Sequence, residues 1–279
     1  MLGASGRRLV GVVVALGLCV AWSVPAFAAT FTSHLGTVTA TLTYQGTSSD
    51  PHHTTLIVTN AGRVVYRAAV STPLCATSCV PEAAYYPNGG NPLRVVRLEP
   101  GSPDVVLGLY SGGAHCCFAD LVLEPLTASR YVATTINLGD PGARLQTLNG
   151  NPFVAFVTAD DSFAYAFTDY AASGLPVRIL RVQGHRALDV TRQYPSMIRS
   201  DASRWLAAFY AQASSHYDDS VGVIAAWAAD EYLLGQRASA DRFLSQQAAA
   251  GHLNSLLNPT LKAFMYVHSL ETFLVQRGY

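Results

Sequence analysis

The chain has 279 residues, with 18 basic and 18 acidic side chains and a formal net charge of zero at pH 7. No cluster of lysine and arginine stands out, which argues against an electrostatic interface with nucleic acid or anionic lipid. After removal of residues 1–28, about 250 residues remain, enough for one large domain or two small ones.

Residues 1–28 contain the three parts of a secretory signal peptide. Arg7 and Arg8 form a basic start, an apolar run follows from 9 to 24, and a small-x-small cleavage site ends at Ala28. The run is shorter than the ~20 residues of a spanning helix, so we expect cleavage and no membrane span afterwards. The sequence predicts a secreted, periplasmic or cell-envelope protein, and leaves open whether export uses the general or the twin-arginine route.

Residues 29–194 show the short runs of β-strands. Residues 37–44 alternate threonine with mostly apolar side chains, and residues 55–66 form a hairpin pattern around Asn60-Ala61-Gly62. We therefore predict a mostly antiparallel β domain over 29–194. Further runs of this type lie at 94–98, 104–110, 117–124, 131–137, 144–148, 153–158, 163–168, 176–182 and 186–191.

One turn pattern occurs twice within this region. Gly101-Ser102-Pro103 and Gly150-Asn151-Pro152 each follow an apolar run and precede another. A spacing of ~40–50 residues with four strands per unit is typical of propeller blades. The region holds too few units for the ~4–8 blades of a closed propeller, so a propeller-blade-like sheet stack and a sandwich remain the two alternatives.

Residues 195–279 change to helical spacing of apolar side chains, which predicts a bundle of about four helices. The whole chain is thus predicted to be α+β, with the β domain first and the helical region second. The predicted helix starts are Ser200-Asp201, Asp219-Ser220, Ser239 and Asn258-Pro259.

Four cysteines remain after Cys19 leaves with the signal peptide: Cys75, Cys79, Cys116 and Cys117. In an oxidising compartment an even number predicts two disulfides. Adjacent Cα atoms are ~3.8 Å apart across a trans peptide, below the usual disulfide range, which disfavours a bond between neighbours. We therefore expect both bonds to join the 75–79 loop to the adjacent pair, each adding ~3–4 kcal/mol of stability.

Residues 110–117 form the most unusual segment. Its paired glycines permit a sharp turn, and His115 stands beside the adjacent cysteines. Three functional hypotheses follow: a Zn or Cu(I) site with thiolate ligands, a redox dithiol, and a cysteine nucleophile with His115 as its base. A disulfide-closed turn is the interpretation that the predicted compartment favours.

Residues 105–117 resemble a segment of secreted bacterial proteins, many of them actinobacterial, that carry a Ser-Gly-Gly-Ala-His-Cys-Cys motif. Their sheets are faintly similar to propeller repeats of the FG-GAP type. The resemblance covers about residues 93–191 and implies a blade-like sheet, with no particular activity. The Asp-x-Asp-x-Asp-Gly loop that holds calcium in many such repeats is missing here.

Tyr110, His115, Asp160 and Asp161 are the candidate site residues, since a carboxylate pair can supply oxygen ligands or acid–base groups. No nucleophile elbow, zincin helix, phosphate loop or dinucleotide fingerprint is present. We interpret the chain as a secreted non-catalytic recognition module without a cofactor, whose partner is a protein or a glycan. The alternatives are a secreted hydrolase using His115 with Asp160/Asp161, and an envelope metal-binding protein.

Overall fold

A computed structural model describes residues 28–75, 79–82, 90–113, 115–213, 220–253 and 263–279. It confirms the α+β prediction, because antiparallel sheets occupy the N-terminal part and four helices follow them. The predicted signal peptide lies outside the described residues except for Ala28, which begins the first strand.

The first sheet is an antiparallel meander in which neighbouring strands follow one another in sequence. Its second strand buries every other side chain up to Tyr44, as the alternation of threonine with apolar residues predicts. The strands are β1 (Ala28–Leu35), β2 (Val38–Gly46), β3 (Pro51–Asn60) and β4 (Arg63–Ala69).

The second sheet lies in the middle of the stack. Its apolar side chains join those of the first sheet on one face and those of the third on the other. This explains why β7 and β8 are nearly continuous apolar runs, since both faces of these strands are buried. The strands are β5 (Val80–Pro81), β6 (Leu93–Val96), β7 (Asp104–Tyr110), β8 (Phe118–Thr127) and β9 (Arg130–Gly139), with β5 and β6 both paired to β7.

The third sheet is again a meander of consecutive strands, and its outer face contacts Tyr194 and Met197. The two Gly-x-Pro turns occupy equivalent places, because one leads into β7 and the other into the second strand of this sheet. The strands are β10 (Arg144–Thr147), β11 (Val154–Ala159), β12 (Val177–Gln183) and β13 (Arg186–Asp189).

The strand predicted at 163–168 is wrong. A short 3-10 helix (Asp161–Phe163) and a series of turns fill the excursion between β11 and β12. Phe163 faces the helices, with its ring centroid 4.9 Å from that of Phe273 and 5.6 Å from that of Tyr279. Packing of the aromatic side chains on the helical core therefore outweighs the strand propensity of this run.

The four helices share one core, and the second of them is buried on nearly all sides. The first helix begins at Pro195, before the predicted start, so Asp201 lies inside it. The third begins at Arg237, ahead of Ser239, and the start predicted at Asn258-Pro259 lies outside the described residues. The helices are α1 (Pro195–Ala213), α2 (Val221–Leu233), α3 (Arg237–Ala249) and α4 (Ala263–Gln276).

The excursion at 160–176, which we call the docking segment, connects the third sheet to the helices. A Cβ on Gly222 of α2 would overlap the carbonyl oxygen of Ala172, so the close approach requires glycine. At the other end, the Tyr279 hydroxyl donates to Asp160 Oδ2 at 2.7 Å. These contacts fix the docking segment against α2 and the end of the chain.

The disulfide pairing differs from the expected one, because Cys75 is bonded to Cys79 and Cys116 to Cys117. Cys79 is buried in the core between the first two sheets, whereas Cys116 is exposed at the turn after β7. The two pairs thus lie in different surroundings, and each cysteine is bonded to its near neighbour in sequence.

Replacing Cys75 and Cys79 together by alanine is expected to lower the free energy of unfolding by about 2 kcal/mol, because a short loop releases little chain entropy when it opens. Denaturant unfolding of the double variant measures the change. Peptide mapping without reductant provides the matching test of connectivity. A fragment that links residue 75 or 79 to residue 116 or 117 would contradict the local pairing.

Candidate functional site

The turn between β7 and β8 is closed by backbone hydrogen bonds as well as by the vicinal disulfide. The Ser111 N–H donates to the Cys117 carbonyl oxygen at 3.0 Å, and the Cys117 N–H donates to Ser111 Oγ at 2.7 Å. The Gly113 N–H donates to the Cys116 carbonyl oxygen at 3.1 Å, and a Cβ on Gly113 would lie 2.5 Å from that oxygen. The glycine thus allows the tight turn that presents His115.

Tyr110, at the end of β7, stabilises this turn. Its hydroxyl donates a hydrogen bond to the Gly113 carbonyl oxygen, and its ring lies 4.7 Å from that of Phe118. Both contacts are within the turn and its flanking strands. The structure therefore assigns Tyr110 a supporting position rather than one beside the His115 ring.

His115 lies in a group of aromatic rings around one carboxylate, and we call His115, Asp140, Tyr165 and Tyr170 the aromatic patch. The His115 ring centroid is 4.7 Å from that of Tyr170 and 6.4 Å from that of Tyr165, and the two tyrosine rings are 5.6 Å apart. His115 Nδ1 is 3.8 Å from Asp140 Oδ2, with the histidine side chain 53% exposed and the aspartate 15% exposed. The patch is a set of contacting rings open to solvent.

Asp140 is positioned by the end of β9 and by the docking segment. Gly139 has φ +63°, and a Cβ there would overlap the Asp161 carboxylate. The Asp140 N–H donates to Asp161 Oδ1 at 3.2 Å. Glycine before Asp140 therefore lets the docking segment approach the end of the middle sheet.

Tyr165 is held in an unusual backbone conformation. Its φ is 60°, in the left-handed region that non-glycine residues seldom occupy. Its N–H donates to Ser173 Oγ at 3.1 Å, and that hydroxyl donates to the Asp169 carbonyl oxygen at 2.7 Å. These bonds fix the conformation while the tyrosine side chain stays largely exposed.

Burial raises the pKa of Asp161, and the neighbouring carboxylates of Asp140 and Asp160 raise it further. Burial also raises the pKa of Tyr170, with hydrogen bonding to Asp140 as the second cause. Tyr170 therefore carries its proton at neutral pH and donates toward Asp140. The patch combines two tyrosine hydroxyls, one carboxylate acceptor and an exposed imidazole.

The structure divides the predicted Asp160-Asp161 pair. Asp160 Oδ1 accepts from the Ser162 N–H at 3.0 Å, and Oδ2 accepts from the Tyr279 hydroxyl. Asp160 therefore caps the 3-10 helix and contacts the chain end. Asp161 instead accepts from the Asp140 N–H, and the side chain that lies beside His115 is that of Asp140.

Asp140, Tyr165 and Tyr170 were missed in the sequence. Tyr165 falls in the run 163–168 assigned to a strand, and Tyr170 lies two residues after the end of that run. The Gly139-Asp140-Pro141-Gly142 turn carried a signal, since such a turn at a strand end often positions an acidic side chain. No feature of the sequence indicated that the end of β9 lies beside the turn after β7.

The metal-binding alternative required free thiols, whereas all four cysteines after residue 28 are paired in disulfides. Across the described ranges, no group of three or more histidine, cysteine or acidic side chains is arranged to hold a metal ion. Within the same ranges, no helix has the length and hydropathy needed to span a membrane.

Comparison with known proteins gives two weak similarities, while no family model and no solved structure matches the chain. It is 26% identical to the uncharacterized protein y4bJ of Sinorhizobium fredii over 148 residues, which cover 52% of this chain and 23% of that protein. It is 25% identical to the "probable thylakoid lumen protein" sll0997 of Synechocystis over 193 residues, covering 63% and 56%. The chain thus spans less than two thirds of the length of either relative.

Proposed function

We propose that the chain is an exported, non-catalytic recognition module that binds its partner through the aromatic patch. The observation that carries this proposal is the cluster of three contacting rings around Asp140 at the exposed end of the middle sheet. Exposed aromatic side chains next to a polar group are enriched where proteins bind partners, because they supply large contact area at low entropic cost.

The backbone at Tyr165 supports the same conclusion. A left-handed conformation at a non-glycine residue costs free energy, and here hydrogen bonds hold it in place. The result is a tyrosine that is 57% exposed. The folded protein thus tolerates a strained backbone at Tyr165 while its ring is exposed to solvent, and such strain is typical of functional surfaces.

Export to a secreted, periplasmic or envelope location is supported by the two disulfides, which persist in oxidising compartments. The Synechocystis relative is named a probable thylakoid lumen protein, which is compatible with such a compartment. The succession of three meander-type sheets supports the blade-like interpretation over the sandwich.

A secreted hydrolase remains the second candidate, because one observation favours it. His115 Nδ1 faces Asp140, and a carboxylate in that position can orient a histidine that acts as a base. The two candidates differ in what happens to the ligand. A recognition module binds and releases it unchanged, whereas a hydrolase cleaves it.

The test measures retention on an isolated bacterial envelope fraction. We expect the exported chain to be retained and the double variant Tyr165→Ala/Tyr170→Ala to be released, because the variant removes two of the three rings. The control is Tyr210→Ala, which deletes a similarly exposed tyrosine on α1. Circular dichroism confirms that all three proteins are folded.

Two results would overturn the proposal. One is equal retention of the wild type and the double variant, which would place binding elsewhere. The other is release of soluble fragments from the envelope by the wild type and not by His115→Ala, which would establish the hydrolase.

A further inference from the structure

Resting on the proposed function, we propose that the aromatic patch binds an uncharged glycan chain, which continues from Tyr165 and Tyr170 into the adjacent cleft that contains Trp205. The spacing of the rings indicates the ligand class, and the cleft provides a second binding region.

The rings form a platform and not a cage. Their centroids are 4.7 to 6.4 Å apart, so each ring contacts the next and no cation fits between them. A ligand can instead lie on top of the exposed Tyr165 ring. The C–H face of a sugar ring suits this surface, because aromatic faces carry partial negative charge.

Tyr170 also lines a neighbouring cleft of about 740 Å³ between the docking segment, the third sheet and α1. A cavity of this size is within the range that holds a ligand. The lining includes aromatic, hydroxyl and charged side chains, among them Thr158, Ser173, Ser200, Asp201, Arg204 and Trp205. Tyr170 therefore connects the patch to an adjoining open cleft.

The charged groups balance when the patch and the cleft are taken together, because the carboxylates of Asp140 and Asp201 match the guanidinium groups of Arg144 and Arg204 in number. Arg204 bonds Asp201 Oδ1 through Nε at 3.1 Å and through a terminal nitrogen at 2.5 Å, and its guanidinium lies 4.1 Å from the Trp205 ring centroid. The Arg204 side chain is 61% exposed and offers donors beside the aromatic ring, and the exposed Ser200 hydroxyl in the cleft can both donate and accept. The hydroxyl groups of a glycan match such a surface, and the Asp140 carboxylate of the patch disfavours an anionic glycan.

The experiment uses isothermal titration of the folded chain with cellohexaose, chitohexaose and the anionic hexagalacturonate. We expect at least one uncharged hexamer to bind and hexagalacturonate to bind at least about ten-fold more weakly. Tyr165→Ala and Arg204→Ala are each expected to weaken binding about three- to ten-fold. Tyr210→Ala is the control and leaves the affinity unchanged.

The outcomes separate this inference from the proposed function. If Tyr165→Ala weakens binding and Arg204→Ala does not, the proposed extension of the ligand into the cleft is overturned. If hexagalacturonate binds as tightly as the uncharged hexamers, the preference for uncharged chains is overturned. A third outcome would overturn the glycan assignment and leave the recognition module standing. In that outcome neither uncharged hexamer binds, and retention on envelope still depends on Tyr165 and Tyr170. Treating the envelope with protease then abolishes the retention, whereas treating it with periodate does not. If the double variant is retained like the wild type, both fail.

Discussion

His185→Ala is expected to lower the free energy of unfolding by about 2–3 kcal/mol, because it leaves a buried carboxylate without its side-chain partner. Glu124 lies on β8 and is fully buried, and its Oε2 is 3.0 Å from His185 Nδ1. The His185 N–H also donates to Glu124 Oε1 at 3.2 Å, and the variant keeps that bond. The histidine side chain is 34% exposed, so water offsets part of the loss.

A double-mutant cycle checks the origin of this effect. The pair Glu124→Leu/His185→Ala removes the buried charge together with its partner, so it is expected to be more stable than His185→Ala alone. Urea unfolding at pH 7 measures all the variants. Additive losses in the double variant would show that the two side chains do not depend on each other.

The second large effect is a fall in stability as the pH rises, caused by buried carboxylic acids. Burial raises the pKa of Asp230 to about 10, and the nearby Asp201 carboxylate adds to the shift. Asp230 is 0% exposed, and among the described residues neither of its carboxyl oxygens has a hydrogen-bond partner that would offset the cost of ionising it. Burial also raises the pKa of Asp120 to about 7.

The sign follows from where each state loses its proton. Below the unfolded pKa of ~3.9 both states are protonated, and the stabilising contribution is complete. As the pH rises, the unfolded chain ionises while the folded chain keeps the proton. Stability then falls by at most ~1.4 kcal/mol per pH unit for each group, until the folded pKa is reached.

Two asparagine variants separate the groups. Asp120→Asn is expected to flatten the pH dependence of the unfolding free energy between about pH 4 and 7. Asp230→Asn is expected to flatten it further, through pH 7 to 9, where Asp120 no longer contributes. Denaturant unfolding at a series of pH values makes the measurement. A wild-type curve that rises from pH 5 to 9 would contradict both assignments.

Local sequence patterns predicted most of the fold. The strands at 104–110 and 117–124 were recognisable because burial on both faces requires continuous apolar runs. The observed start of α2 directly after Ser220 also agrees with the helix start predicted at Asp219-Ser220. The run at 163–168 failed because its alternation fits a strand, and only the distant helices determine where Phe163 packs.

The candidate site was less predictable, because its members meet through tertiary contacts. His115 stood out by composition, but its neighbours come from the end of β9 and from the docking segment. The disulfide pairing likewise depended on tertiary placement, since Cys79 packs in the core between the first two sheets and Cys116 lies exposed in the turn after β7. Asp230 did carry a signal, as the first acidic residue after a long apolar run in a helix.

The position of the middle sheet has a consequence for hydrogen exchange across the aromatic patch. Strands covered on both faces open only in nearly global unfolding, so amides of β7 and β8 next to His115 should be among the slowest to exchange. Tyr165 and Tyr170 belong to turns with few backbone partners, whose amides exchange through local opening. A bound ligand would therefore slow amide exchange at 160–176 and leave the exchange rates of β7 and β8 unchanged. The β7–β8 side of the patch thus acts as a fixed support, while the docking segment adjusts to the ligand.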